Sequence, residues 1–185
     1  MLIFFVSLVA CVVLILALKK FADILGMLDH PDARKQHVHP TPTVGGVAMF
    51  VAVLLAIQFG SPLSEQRIIL LVCSAAMVVL GVFDDKHNLP VYLRLMIQVT
   101  LALIVIVDAH GTVTYIGSIF GVPLNLGFLA IPLSLIAFVG GINSMNMIDG
   151  ADGMAGSMAF ITILGVIVLR TVAPSDLPPD LPLAV

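Results

Sequence analysis

The chain has 185 residues, 60% of them hydrophobic and only 10% charged, with a formal net charge of −3. Soluble globular domains carry about 25% charged residues, so this composition excludes one. The mean hydropathy of +1.17 places the chain in a bilayer.

Six apolar runs follow one another at residues 1–18, 44–59, 68–83, 91–107, 128–142 and 154–169. A perpendicular spanning helix needs about 20 residues, so the ends of the shorter runs recruit polar flanks. Gly45, Gly46, Gly81, Gly140, Gly141 and Gly165 lie in or beside these runs, where small residues allow close packing in lipid. The expected fold class is all-α: a polytopic membrane protein with six transmembrane helices over residues 1–170 and a Pro/Asp-rich external tail at 171–185.

The first run has no basic residues before it and is followed by Lys19-Lys20, the order of an uncleaved anchor with its N-terminus outside. Cys11 and Cys73 both fall inside apolar runs, which argues for packing and against a disulfide framework. The connections after the first, third and fifth runs carry Lys19, Lys20, Arg34, Lys35 and Lys86, with Arg94 just inside the fourth run. The other side has Arg67 and Arg170. Six against two puts the odd-numbered connections in the cytoplasm. Among the external connections, residues 109–127 nearly alternate β-formers (Val113, Tyr115, Ile116, Ile119, Phe120) broken by Gly117 and Gly121, which predicts a short hairpin at the membrane surface.

The cytoplasmic connections, at 19–43, 84–90 and 143–153, hold the polar chemistry. In the first, Pro31, Pro40 and Pro42 stiffen a segment that presents Arg34, Lys35, His37 and His39, and Gly45-Gly46 opens the next helix. Such a cluster serves as a phosphate site or as an ordinary contact with lipid headgroups. Asp84-Asp85 closes the third run. Two adjacent carboxylates in a low-dielectric site call for a cation or a shared proton, which suits a metal–phosphate site or proton abstraction. The plain alternative is a solvated acidic helix end. Arg94 lies one turn into the next helix with Gln98 one turn deeper on the same face, and an arginine there also has the option of snorkelling to headgroups. Asn143, Asn146, Asp149 and Asp152 follow the fifth run, with Gly150 and Gly153 permitting irregular backbone. Ionisable groups at a membrane edge mark a functional site, and Asp84, Asp85, Asn146 and Asp149 are expected to converge on one cavity.

Three motifs carry a resemblance. They are Asp29-x-Pro31-x-x-Arg34-Lys35-x-His37 with Gly45-Gly46, then Asp84-Asp85-x-x-x-Leu89-Pro90-x-x-x-Arg94, then Asn143-x-x-Asn146-x-x-Asp149-Gly-x-Asp152-Gly. Together they resemble the polyprenyl-phosphate N-acetylhexosamine-1-phosphate transferases (glycosyltransferase family 4). Within these, the Arg-Lys-x-His segment is closer to the undecaprenyl-phosphate N-acetylglucosamine-1-phosphate transferases than to the muramoyl-pentapeptide transferase.

The resemblance implies transfer of a sugar 1-phosphate from a UDP-amino sugar to undecaprenyl phosphate with release of UMP. It also implies Mg²⁺ or Mn²⁺ and the cytoplasmic face of the bacterial inner membrane. By resemblance Asp84 and Asp85 handle the lipid phosphate and its proton, as catalytic or metal-binding groups. Asn146 and Asp149 hold the metal and diphosphate. Arg34, Lys35, His37, Gly45, Gly46, Arg94, Asn143 and Asp152 bind substrate. The lipid bilayer is a partner, nucleic acid is not expected, and a homodimer is left open.

Relatives of this kind are about twice as long and carry a downstream Gly-Asp metal loop and a His-rich loop. Neither occurs in these residues, so the chain is expected to be incomplete as an enzyme, or else a non-catalytic truncated homologue. An ion-coupled transporter is the third reading; it predicts carboxylates at helix centres and inverted repeats.

Overall fold

The structure is a computed structural model that describes residues 2–29, 41–59, 63–120, 122–148 and 153–172. The chain divides into two units, Met1–Val139 and Gly140–Val185. Six helices occur among the described residues: α1 (Leu2–Phe21), α2 (Gly45–Ile57), α3 (Glu65–His87), α4 (Val91–Asp108), α5 (Ala130–Ile148) and α6 (Met154–Val172). Two small antiparallel sheets complete the set, β1 (Leu28–Asp29) with β2 (Thr41–Pro42) and β3 (Tyr115–Ile119) with β4 (Val122–Asn125). Helices dominate because a backbone in hydrocarbon must satisfy its own hydrogen bonds.

Among the described residues, four helical segments are long and apolar enough to cross a bilayer: Phe4–Phe21, Glu65–His87, Val91–Asp108 and Gly127–Ile148. The apolar helices Gly45–Ile57 and Met154–Val168 are shorter. At 1.5 Å per residue, α2 with its 13 residues covers about 20 Å, short of a hydrocarbon core of about 30 Å.

In the first unit, α2 packs against α1 and α3, and α3 against α4. The residues α2 buries are Ala48, Ala52 and Ala56, one on each successive turn. A stripe without bulky side chains lets neighbouring backbones come close, which is how helices attract one another where lipid is as apolar as leucine. A second contact gathers Cys73 of α3 with Val105 and Ala109 at the end of α4, flanked by Ile69, Leu101 and Phe138. Both cysteines are free thiols, as their apolar settings predict.

The expected hairpin is present. Tyr115 pairs with Asn125, Ser118 with Pro123 and Ile119 with Val122, with an irregularity between Tyr115 and Ser118. The β1–β2 pair was not foreseen. Leu28 faces Pro42 and Asp29 faces Thr41, and the Thr43 N–H donates to Met27 O at 2.9 Å, so both ends of the connection that contains residues 30–40 are drawn together.

Two connections are shorter than their polarity suggested. Residues 84–87 form the last turn of α3 and residues 143–148 the C-terminal end of α5, so Asp84, Asp85, Asn143 and Asn146 stand on helices instead of in loops. Helix propagation does not stop where apolar character ends; it stops where a cap intervenes. For α3 that cap is Asn88, which takes the left-handed conformation (φ 48°, ψ 63°) and donates its N–H to Asp84 O at 2.8 Å. Asparagine tolerates this region better than most residues that carry a Cβ.

Candidate functional site around the α3–α4 turn

Asp84 is the hub of this turn. Its main-chain oxygen accepts from Asn88. Its Oδ1 accepts from the Leu89 N–H at 3.1 Å, and its Oδ2 from Arg94 Nη1 at 2.6 Å. Pro90 then sets the entry to α4 as its N-cap, extended at φ −62° and ψ 140°, with its main-chain oxygen accepting the N–H groups of Leu93 and Arg94 at 3.0 and 3.3 Å. Arg94 follows one turn in, and the turn brings its guanidinium back over the end of α3. Ionised donor and acceptor make this a short, charge-assisted contact.

The electrostatics of the pair are instructive. Carboxylates at a helix C-terminus and a guanidinium near a helix N-terminus both oppose the helix dipole, at about 0.3–1 kcal/mol each. Asp84-Asp85 and Arg94 each sit at the unfavoured end and offset one another across the turn. Helix stability alone would select the reverse arrangement, so the choice of residues points to chemistry. The side chains are 31% exposed for Arg94 and 21% for Asp84, open enough for a ligand to reach both. Asp85, next on the helix, is exposed. Gln98, one turn below Arg94, is buried, as its position on the same face predicts.

Lys86, from the same last turn, donates through Nζ to Leu25 O at 2.7 Å. It lies over Gly26, whose φ of +62° lets the chain turn off the end of α1. A bond across 61 positions of sequence fixes the end of α1 beside the end of α3, on one side of the molecule. The motif alone gave no hint of this role: Lys86 entered the sequence reading only as a positive charge. Gly45 and Gly46 open α2 as expected, and a Cβ added to either would meet nothing within 4 Å among the described residues, so the backbone there is accessible.

The remaining expected site residues divide in two. Asn143 and Asn146 lie on α5 in the second unit. Arg34, Lys35, His37, His39, Asp149 and Asp152 fall outside the described residues, as does one partner in the expected convergence of Asp84 with Asp149. Among the described residues, no three His, Cys, Asp or Glu side chains come together. The donor chemistry nevertheless suits a hard cation. Asp84 and Asp85 offer carboxylate oxygens, and each Asp84 oxygen accepts one of the hydrogen bonds named above and keeps a second lone pair. Asp23, Glu65, Asp84, Asp85 and Asp108 all lie at helix ends or in turns, not at the helix centres that ion-coupled transport requires.

Several helices long and apolar enough to cross a bilayer, with a carboxylate–arginine pair at the turn between two of them, are the features of a multi-pass membrane protein. The profile described as Glycosyl transferase family 4 matches residues 67–178, more than half of the chain, and the chain belongs to that family. A Bacillus subtilis (strain 168) protein named "Probable undecaprenyl-phosphate N-acetylglucosaminyl 1-phosphate transferase" is 30% identical over 172 residues, covering 90% of this chain and 47% of that protein. The Escherichia coli (strain K12) protein named "Undecaprenyl-phosphate alpha-N-acetylglucosaminyl 1-phosphate transferase" is 28% identical over 149 residues, 80% of this chain and 41% of its own length. A Salmonella typhi protein of the same name is 30% identical over 145 residues, covering 78% of this chain and 40% of that one. The chain thus spans less than half the length of these relatives. No solved structure matches it.

Proposed function

We propose that these residues form part of the active site of an enzyme that transfers N-acetylhexosamine 1-phosphate from a UDP-amino sugar to undecaprenyl phosphate, releasing UMP at the cytoplasmic membrane face. The observation that carries the reading is the Asp84–Arg94 pair beside an exposed Asp85 in a member of this family. Both reactants are phosphate anions, so the site must screen charge, align the two phosphates and hold the proton of the attacking one. Arg94 supplies a fixed guanidinium to which a phosphate can bind in two-pronged fashion, and the Asp84 carboxylate is held in one orientation by two hydrogen bonds at the turn. Asp85, exposed on the same turn, is the proton acceptor in this reading. A bound Mg²⁺ or Mn²⁺ would lower the charge on the diphosphate, and Asp84, Asp85, Asn146 and Asp149 are the residues that would hold it. All six helices span the membrane in this reading, with the short α2 extended by its flanks and the N-terminus outside.

The test is UMP release. The protein carrying these residues, purified in detergent and given UDP-N-acetylglucosamine, undecaprenyl phosphate and Mg²⁺, should release UMP only when both substrates are present. Asp85→Asn should lower turnover by at least about 10²-fold, the usual scale for a lost general base. Full turnover in Asp85→Asn, or UMP release independent of the lipid phosphate, would overturn the proposal.

A further inference from the structure

The β3–β4 hairpin is untouched by the chemistry above and lies at the far end of α4 from Asp84, about 27 Å away for an 18-residue helix. Its surface is unusual. No Asp, Glu, Lys or Arg occurs between residues 109 and 148. Yet the hairpin and the turn after it expose Ile116 and Val122, with Phe120 at 102% and Phe128 at 90% exposure. A water-facing hairpin would carry charge on at least one face.

Phe120 sits at the tip with φ of +51°, a left-handed conformation that favours glycine, although Gly121 follows directly in the sequence. A bulky ring held there against its backbone preference indicates a use for the ring. The base of the hairpin is also set low. Ser134, buried one turn inside α5, accepts the Val113 N–H at 2.8 Å, and Thr112 Oγ1 donates to Ile106 O at 2.9 Å one turn inside α4. The hairpin therefore springs from within the ends of two spanning segments.

From these observations we infer that the hairpin is an interfacial anchor, with Phe120 and Phe128 seated in the headgroup layer of the bilayer that α4 and α5 cross. Lipid is the occupant because exposed apolar residues run on from the hairpin into the ends of the two helices it joins, Ile104 and Val107 on α4 and Ile131 and Leu133 on α5. The five residues of β3 reach about 17 Å, more than the thickness of the headgroup layer, so an upright hairpin would carry its uncharged tip into water. A hairpin lying along the interface keeps the Phe120 and Phe128 rings out of water, at the headgroup–acyl boundary where interfacial segments seat phenylalanine.

Tryptophan reports on this directly, because none of the 185 residues is tryptophan. Phe120→Trp and Phe128→Trp, each reconstituted into phosphatidylcholine vesicles, are read as the difference in emission from the unsubstituted protein. Both should emit to the blue of an aqueous indole. Both should also be quenched at least about twofold more by lipid brominated near the carbonyl end of the acyl chain than by lipid brominated near the methyl end. Three results overturn the inference. Aqueous emission without lipid quenching means a solvent-facing hairpin. Blue emission without lipid quenching means cover by protein, whether a partner or a second copy. Stronger quenching by the deep bromines places the rings in the hydrocarbon core. Phe128 lies outside the strands, so its variant gives the answer even if Phe120→Trp disturbs the tip.

Discussion

Asp84 serves two purposes that a substitution can separate. Asn in its place still accepts the Leu89 N–H through its amide oxygen, but turns an uncharged amide toward the Arg94 guanidinium. The Leu89 contact should survive while the ion pair is lost, so Asp84→Asn is expected to lower turnover by at least about 10²-fold, with a stability loss similar to that of Arg94→Ala because both variants break the same pair. Arg94→Ala removes the other half of the pair. It should cost on the order of 1–2 kcal/mol of stability, between the values for exposed and buried pairs, and should raise KM more than it lowers kcat if the guanidinium also meets a substrate phosphate. Because the two side chains touch, their effects should not add: the double variant Asp84→Asn/Arg94→Ala should be little slower than Asp84→Asn alone. Steady-state kinetics on the four proteins decide this, and independent, additive losses would show that the ion pair plays no joint part. The candidate residues were legible in the sequence because charges at the edge of an apolar run are conspicuous. Their pairing was not, because it depends on Asn88 adopting a left-handed conformation and Pro90 redirecting the chain.

Individual elements owe their placement to single polar contacts at their ends. The six apolar runs marked the six helices, and the alternating β-formers marked the hairpin, since both signals are periodic and local. The polar extensions of α3 and α5 and the β1–β2 pair escaped notice. The first depend on where a cap happens to fall, and the second on pairing two-residue segments too short to carry a pattern. Ser134 is the clearest of the end contacts: it is 1% exposed, and its hydroxyl takes the Val113 N–H. Ser134→Ala keeps the volume but leaves that main-chain donor without its partner, at a cost of about 1–3 kcal/mol. The expected result is a lower melting temperature with faster amide exchange at Val113 and the adjoining hairpin, while exchange in α1 and α2 stays unchanged. Equal loosening throughout the first unit would show that Ser134 supports the bundle instead of the hairpin.

For the whole molecule, the decisive property is which surface each helix end reaches. Lys86 reaching Leu25 draws the ends of α1 and α3 together, and the α3–α4 turn carries Asp84, Asp85 and Arg94 at that same level. The hairpin lies at the other end of α4. The basic residues follow this division with the exception of Arg67 in the first turn of α3: Lys19, Lys20, Lys86 and Arg94 lie toward the Asp84 end, and the hairpin has no Lys or Arg. If the positive-inside rule governs this chain, the Asp84 end is cytoplasmic, where a nucleotide sugar would be at hand. Cysteine labelling in intact cells tests the assignment once Cys11 and Cys73 are replaced. Thr114→Cys, at an exposed position leading into β3, should react with a membrane-impermeant maleimide added outside. Lys20→Cys, exposed on the last turn of α1, should react only after the membrane is permeabilised. The opposite pattern would put the carboxylate cluster on the external face, away from cytoplasmic nucleotides, and the transferase reading would fail with it. Labelling of both positions from outside would mean that the segments between them do not all cross. The shortfall of α2, about 10 Å against the hydrocarbon core, makes it the helix whose crossing such a result would question first.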